Sequence, residues 1–125
     1  MGERVYRGRW LPDGQTEVTV NGLPLRQVPW HGRSGFAWGY GGSGPADLAL
    51  SILADFLVER PTLQQVREGR CRCWRFHQDF KWAFIAPLDQ AAGWTILGSE
   101  IRVWMQARKK RRRGAAGPTR GRARP

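Results

Sequence analysis

Cysteine is nearly absent: Cys71 and Cys73 are the only two in 125 residues. They stand too close together for an ordinary disulfide, so the fold is expected to do without one. Histidine is equally scarce, with His31 and His77 alone. Zinc wants four ligands, whereas Cys71, Cys73 and His77 offer three, and on a helix the two thiols point about 200° apart. No metal and no other cofactor is expected. Uninterrupted apolar stretches fall far short of the roughly 20 residues of a bilayer span, and the opening MGERVYRGRW lacks the apolar core of a signal peptide. The expectation is a soluble, cytoplasmic protein that contacts no membrane.

Acid is missing from one end. From Arg108 onward there is none, against nine of the 21 basic residues: Arg108, Lys109, Lys110, Arg111, Arg112, Arg113, Arg120, Arg122 and Arg124. The other twelve face ten acids, so residues 1–107 carry only about +2 of the formal +11. The run RKKRRRGAAGPTRGRARP has no aromatic or branched aliphatic residue, and its guanidinium groups repel one another. It is expected to be disordered when free, apart from a root that extends the last helix. Each phosphate it neutralises would release counterions, which points to nucleic acid, DNA or RNA, bound with steep salt dependence. Solubility, or an arginine-rich codon usage, accounts for the same residues.

What is present in the body describes one α+β domain over residues 1–107. VYRGRW and TEVTV, with LPDG between them, read as a β-hairpin, and NGLP is a second turn before LRQVPW. After the glycine cluster a helix opens at Pro45 with Asp47 in its first turn, carries Leu48, Ile52, Leu53, Phe56 and Leu57, and stops at Pro61. A second helix is expected over about Cys71 to Ile85, with Cys73, Phe76, Phe80, Ala83 and Phe84 as its apolar stripe. Trp94 to Ile96 are extended, and Ser99 then reads as the N-cap of a third helix whose Ile101, Trp104 and Met105 face inward. A small antiparallel sheet packed with about three helices is the result.

The cluster WGYGGSGPADLAL matches the dinucleotide spacing literally at Gly39, Gly41 and Gly44. That fingerprint needs a second parallel strand after the helix, and TLQQVREGRCRCWRF supplies none. The Lys-Ser/Thr pair of a phosphate-binding P-loop is missing as well. Gly39, Gly41, Gly42, Ser43 and Gly44 therefore read as a tight turn packed under tryptophan, with anion contact at the helix N-terminus as the weaker alternative. Ser43 is not followed by the glycine of a nucleophile elbow and reads as a turn or capping hydroxyl. Asp47, Asp55 and Glu59 read as ordinary solvated carboxylates. No catalytic constellation emerges, and no enzyme is expected.

Seven tryptophans exceed what so small a core requires. Trp74 and Trp82 fall off the stripe of the second helix, with Arg72, Arg75 and Lys81 beside them. Aromatics interleaved with bases suit nucleobase stacking or an aromatic-arginine protein contact; packing on the sheet is the plainer alternative.

FAWGYGGSGPADLALSILADFL, the later QDFKWAFIAPL and the closing WTILGSEIRVW resemble a small uncharacterised domain family of bacteria, archaea and phages. In that family an aromatic-Gly-Tyr-Gly-Gly-Ser-Gly-Pro turn opens a helix. The likeness covers about residues 5 to 106. It implies a compact domain in a bacterial cell or phage-infected host and carries no activity with it. Two readings follow: a non-enzymatic module that contacts nucleic acid through the basic tail, or a protein-interaction factor that modulates a host nucleic-acid machine.

Overall fold

The computed structural model describes residues 3–28, 30–31 and 35–115, with side chains as far as Arg108. Strands β1 (Val5–Trp10) and β2 (Thr16–Val20) form the expected hairpin, whose loop is closed by Leu11 N–H to the Gln15 carbonyl at 2.7 Å. Asn21 and Gly22, both at positive φ, turn the chain into β3 (Leu23–Pro24). That pair of conformations is what a two-residue hairpin turn with the twist of the sheet demands. The fourth strand, β4 (Trp94–Leu97), pairs with the outer side of β1, so the antiparallel order is β3-β2-β1-β4. Tyr6 lies between Val20 and Ile96, and Gly8 between Val18 and Trp94. The Trp94 indole lies where a Cβ on Gly8 would stand, so the glycine makes room for the ring.

Against this sheet packs α1 (Ser43–Phe56), which is buried all round from Gly44 to Ala54. It opens two residues before Pro45, with Gly42 as N-cap and no capping side chain. Ser43 is thus inside the helix and caps nothing, and Asp47 falls in the second turn. The segment 35–38 before the glycines has no regular structure, so no strand leads into the turn.

The sequence reading missed α2 (Leu63–Arg67), although Thr62 and Gln65 form a complete capping box. Its signal, Thr-x-x-Gln directly after a proline, was there to be read. Then follow α3 (Arg72–Phe80) and a π-helical turn (Lys81–Ile85) in which Ala86 N–H donates to the Lys81 carbonyl at 2.8 Å. The π turn inserts one extra residue, which shifts the buried stripe. It runs Cys73, His77, Phe80, Lys81, Ile85, while Ala83 is exposed and Phe76 and Phe84 only half-buried. Finally α4 (Gly98–Ala115) begins at Gly98. Ser99 is therefore not its cap: the Ser99 amide donates to Glu3 and the Leu97 amide to Glu100. Ile101 is buried, and Trp104 packs edge-on against Phe80 and Phe84.

Because α1 has no solvent face, its polar residues must find partners inside the protein. Asp47, Ser51, Asp55 and Glu59 recur every four residues and so share one side of the helix and its exit. Asp47 accepts from the His31 amide at 2.7 Å and Ser51 from the Val28 amide at 2.9 Å. Asp55 accepts from the Tyr6 hydroxyl at 2.7 Å and from Arg4 at 3.0 Å. Glu59 takes the first amides of α3, Cys73 at 2.8 Å and Arg72 at 3.2 Å. These carboxylates are structural clamps, not the solvated surface that composition suggested.

Candidate nucleic-acid interface

The glycine turn seats aromatic rings and a lysine. A Cβ on Gly41 would stand 2.4 Å from the Trp82 ring, and one on Gly42 2.6 Å from the Tyr40 ring. Gly39, at φ +88°, backs directly onto the Gln90 backbone. Lys81, only 5% exposed, donates from Nζ to the Gly41 carbonyl at 3.0 Å, and its ammonium lies 4.4 Å from the Trp82 ring. Lys81 is therefore not the exposed base expected from sequence: it follows His77 by four residues and so shares the buried side of α3. Trp82 is turned out and is 59% exposed. Trp10 and Tyr40 are each a little under half exposed, and Trp10 donates to the Gln90 carbonyl at 3.2 Å.

Trp74 goes elsewhere. Its ring lies against Trp30, His31 and His77, with centroid separations of 5.5, 5.6 and 4.5 Å. This stack, with the amide bonds to Asp47 and Ser51, straps residues 28 and 31 onto α1 and α3. Nδ1 of His77 lies 2.6 Å from the Trp74 carbonyl, which can only accept, so Nδ1 carries the proton. Nε2 of neutral His77 is then an acceptor, and His31 Nε2–H donates to it at 2.9 Å. Burial pushes the His77 pKa below the usual histidine value, against the pull of the Trp74 carbonyl, and nearby His31 lowers it further.

On the outer side of α3 an open cleft of about 590 Å³ is lined by Gly69, Trp74, Arg75, Phe76, His77, Gln78 and Arg108. Here the structure does bring expected site residues together, namely Trp74, Arg75 and Arg108. Arg75 is exposed and donates to the Gly69 carbonyl at 3.2 Å. Arg108 is docked onto the body: its guanidinium lies over Trp104 and Phe76 and pairs with Asp79 at 2.5 Å. Its Nε is buried and finds no acceptor among the described residues. Arg72 lies apart, exposed beside Glu59 at 3.6 Å.

Beyond Arg108 the backbone stays helical to Ala115, so Lys109, Lys110, Arg111, Arg112 and Arg113 continue α4 out of the cleft wall. Arg120, Arg122 and Arg124 lie outside the described residues. The expected boundary after residue 107 thus falls inside a helix whose next residue anchors it to α3.

The two thiols do not offer an activated nucleophile. Burial and the Glu59 carboxylate push both Cys71 and Cys73 upward, so they stay protonated at neutral pH. Burial also pushes Glu59 up, but the Cys73 and Arg72 amides outweigh it and hold its carboxyl below the usual range. Among the described residues no three His, Cys, Asp or Glu side chains converge on a metal-sized site, and no helix is long and apolar enough to cross a membrane.

Residues 6–107 match the model of a family described as "Family of unknown function (DUF6166)". The chain belongs to this family. No curated protein and no solved structure matches it. The matched span ends one residue short of Arg108, so the DUF6166 domain comprises the sheet, the helices and the strap, and the basic arm follows it.

Proposed function

We propose that this DUF6166 chain is a non-enzymatic module, of a bacterial cell or phage-infected host, that contacts nucleic acid through the basic arm beginning at Arg108. The observation that supports it is the placement of that arm. It leaves the body as a continuation of α4, from a root that Asp79, Phe76 and Trp104 fix in place. Five consecutive cations, Lys109 to Arg113, follow that root, and each phosphate they neutralise would release counterions.

The test is fluorescence anisotropy with labelled single-stranded and duplex DNA and RNA. The full chain is compared with a variant in which Lys109, Lys110, Arg111, Arg112 and Arg113 are glutamine. Arg108 is kept because it docks α4 on Asp79 and Phe76 of α3. The variant is expected to lose at least about tenfold in affinity near 0.1 M salt. Undiminished binding would sink the reading.

Trp82 favours a second reading, a protein-interaction factor acting on a host nucleic-acid machine. An indole 59% exposed, on a glycine floor beside Tyr40, has the chemistry of an interface anchor. Trp74 no longer belongs to that surface, since the strap occupies it. A partner captured after nuclease treatment, and lost with Trp82→Ser, would support this alternative.

A further inference from the structure

We infer that the cleft between α3 and α4 accepts an unstacked base of a single-stranded nucleic acid whose phosphates run along the arm. The inference rests on the nucleic-acid reading above and names its substrate class. A volume of about 590 Å³ lies within the roughly 300–1,000 Å³ of small-ligand sites, ample for one nucleotide. The lining complements what a nucleotide presents: ring surface on Trp74 for a base face, the Gln78 amide, four residues on and so on the same side of α3, for a base edge, and cations on Arg75 and Arg108 for phosphate.

Two details favour such an occupant. The Arg108 guanidinium lines the cleft and carries N–H donors beyond the one that pairs with Asp79, so a phosphate can be held without breaking that pair. Gly69, which also lines the cleft, has open space where a Cβ would stand. A duplex could satisfy the two arginines, but its base faces are stacked on one another and cannot reach aromatic walls. The cleft wall is rigidly held as well. Glu59 fixes the start of α3, and the stack of Trp30, His31 and His77 backs Trp74.

The experiment uses the full chain, an oligothymidine of about 12 nucleotides, a hairpin duplex with the same number of phosphates, and the oligothymidine stripped of its bases. Arg75→Gln and Gln78→Ala change exposed side chains, and circular dichroism confirms that both fold. The single strand is expected to bind at least about tenfold more tightly than the duplex, a ratio of the size that base stacking on aromatics gives. Gln78→Ala should weaken the single strand about three- to tenfold while leaving the duplex and the baseless strand unchanged, whereas Arg75→Gln, which removes a phosphate contact, should weaken all three. Equal affinity for single strand and duplex, or a Gln78→Ala variant that weakens both alike, would overturn the cleft assignment and leave the arm. Absence of binding to all three probes would overturn the arm reading and this inference together.

Discussion

At the residue scale the protein is governed by side chains that face inward against their type. Gly39 and Gly41 show how the same residue serves two purposes. At Gly39 a Cβ would press on the Gln90 backbone at 2.6 Å, and φ is +88°, so neither neighbour nor torsion can yield. At Gly41 the obstacle is the outer edge of an exposed indole, which can swing away. Gly39→Ala is therefore expected to lower stability by about 2–4 kcal/mol and Gly41→Ala by about 1 kcal/mol, read from urea denaturation. Equal losses would contradict this account of the turn. His77 gives a pH dependence. Its folded pKa lies below the ordinary value of 6.5, so the unfolded chain takes up the proton first. The stability it contributes is complete above about pH 6.5 and is lost as pH falls through the folded value. Protonation also removes the acceptor that His31 needs, while Asp47 and Lys81 bias the site in opposite directions. Unfolding midpoints between about pH 7.5 and 5.5 should fall more steeply for the wild type than for His77→Phe.

Elements are held by their ends. The exit of α1 is a left-handed turn in which Glu59 N–H reaches back to the Ala54 carbonyl at 2.8 Å, and the residue at φ +56° is Val58. A β-branched residue is costly there, and glycine is the usual occupant. Val58 is exposed, so little packing offsets the strain. Val58→Gly is expected to raise stability by about 1 kcal/mol, visible as a higher thermal midpoint; a lower one would mean that the valine side chain is needed in a contact. The same elements show what could be read from the sequence. The hairpin, α1, the start of α3 and β4 were legible because alternation, helical spacing and proline stops are local signals. The π turn was not: one inserted residue leaves composition unchanged yet turns Ala83 out and brings Ile85 in. The polar stripe of α1 was misread because Asp47, Asp55 and Glu59 at helical spacing imply a wet face only where the helix has one. Here α3 and the strand-linking segments cover it, a fact that resides in the tertiary arrangement.

On the scale of the whole molecule, charge and shape are divided. The DUF6166 body is nearly neutral and places most of its aromatics in four groups: the strap around Trp74, the core around Trp38, the cluster of Trp104 with Phe80 and Phe84, and the exposed turn around Trp82. Nearly all of the net charge lies in the arm, which is rooted beside the cleft. Of the expected site residues, Arg75, Trp74 and Arg108 were recoverable as a set only because α4 lies along α3, and no spacing in the sequence encodes that. If arm and cleft work together, affinity and its salt dependence must separate on mutation. Replacing Lys109, Lys110, Arg111, Arg112 and Arg113 by glutamine removes up to five phosphate contacts, each worth about 0.7 in the slope of log K against log salt on a single strand. The slope is expected to flatten by about three units. Arg75→Gln should flatten it by less than about one unit, while Gln78→Ala, which carries no charge, should weaken binding at every salt concentration and leave the slope alone. An unchanged slope in the five-residue variant would assign the cations to solubility. A slope that falls with Gln78→Ala would show that the cleft acts by positioning the arm and does not hold a base.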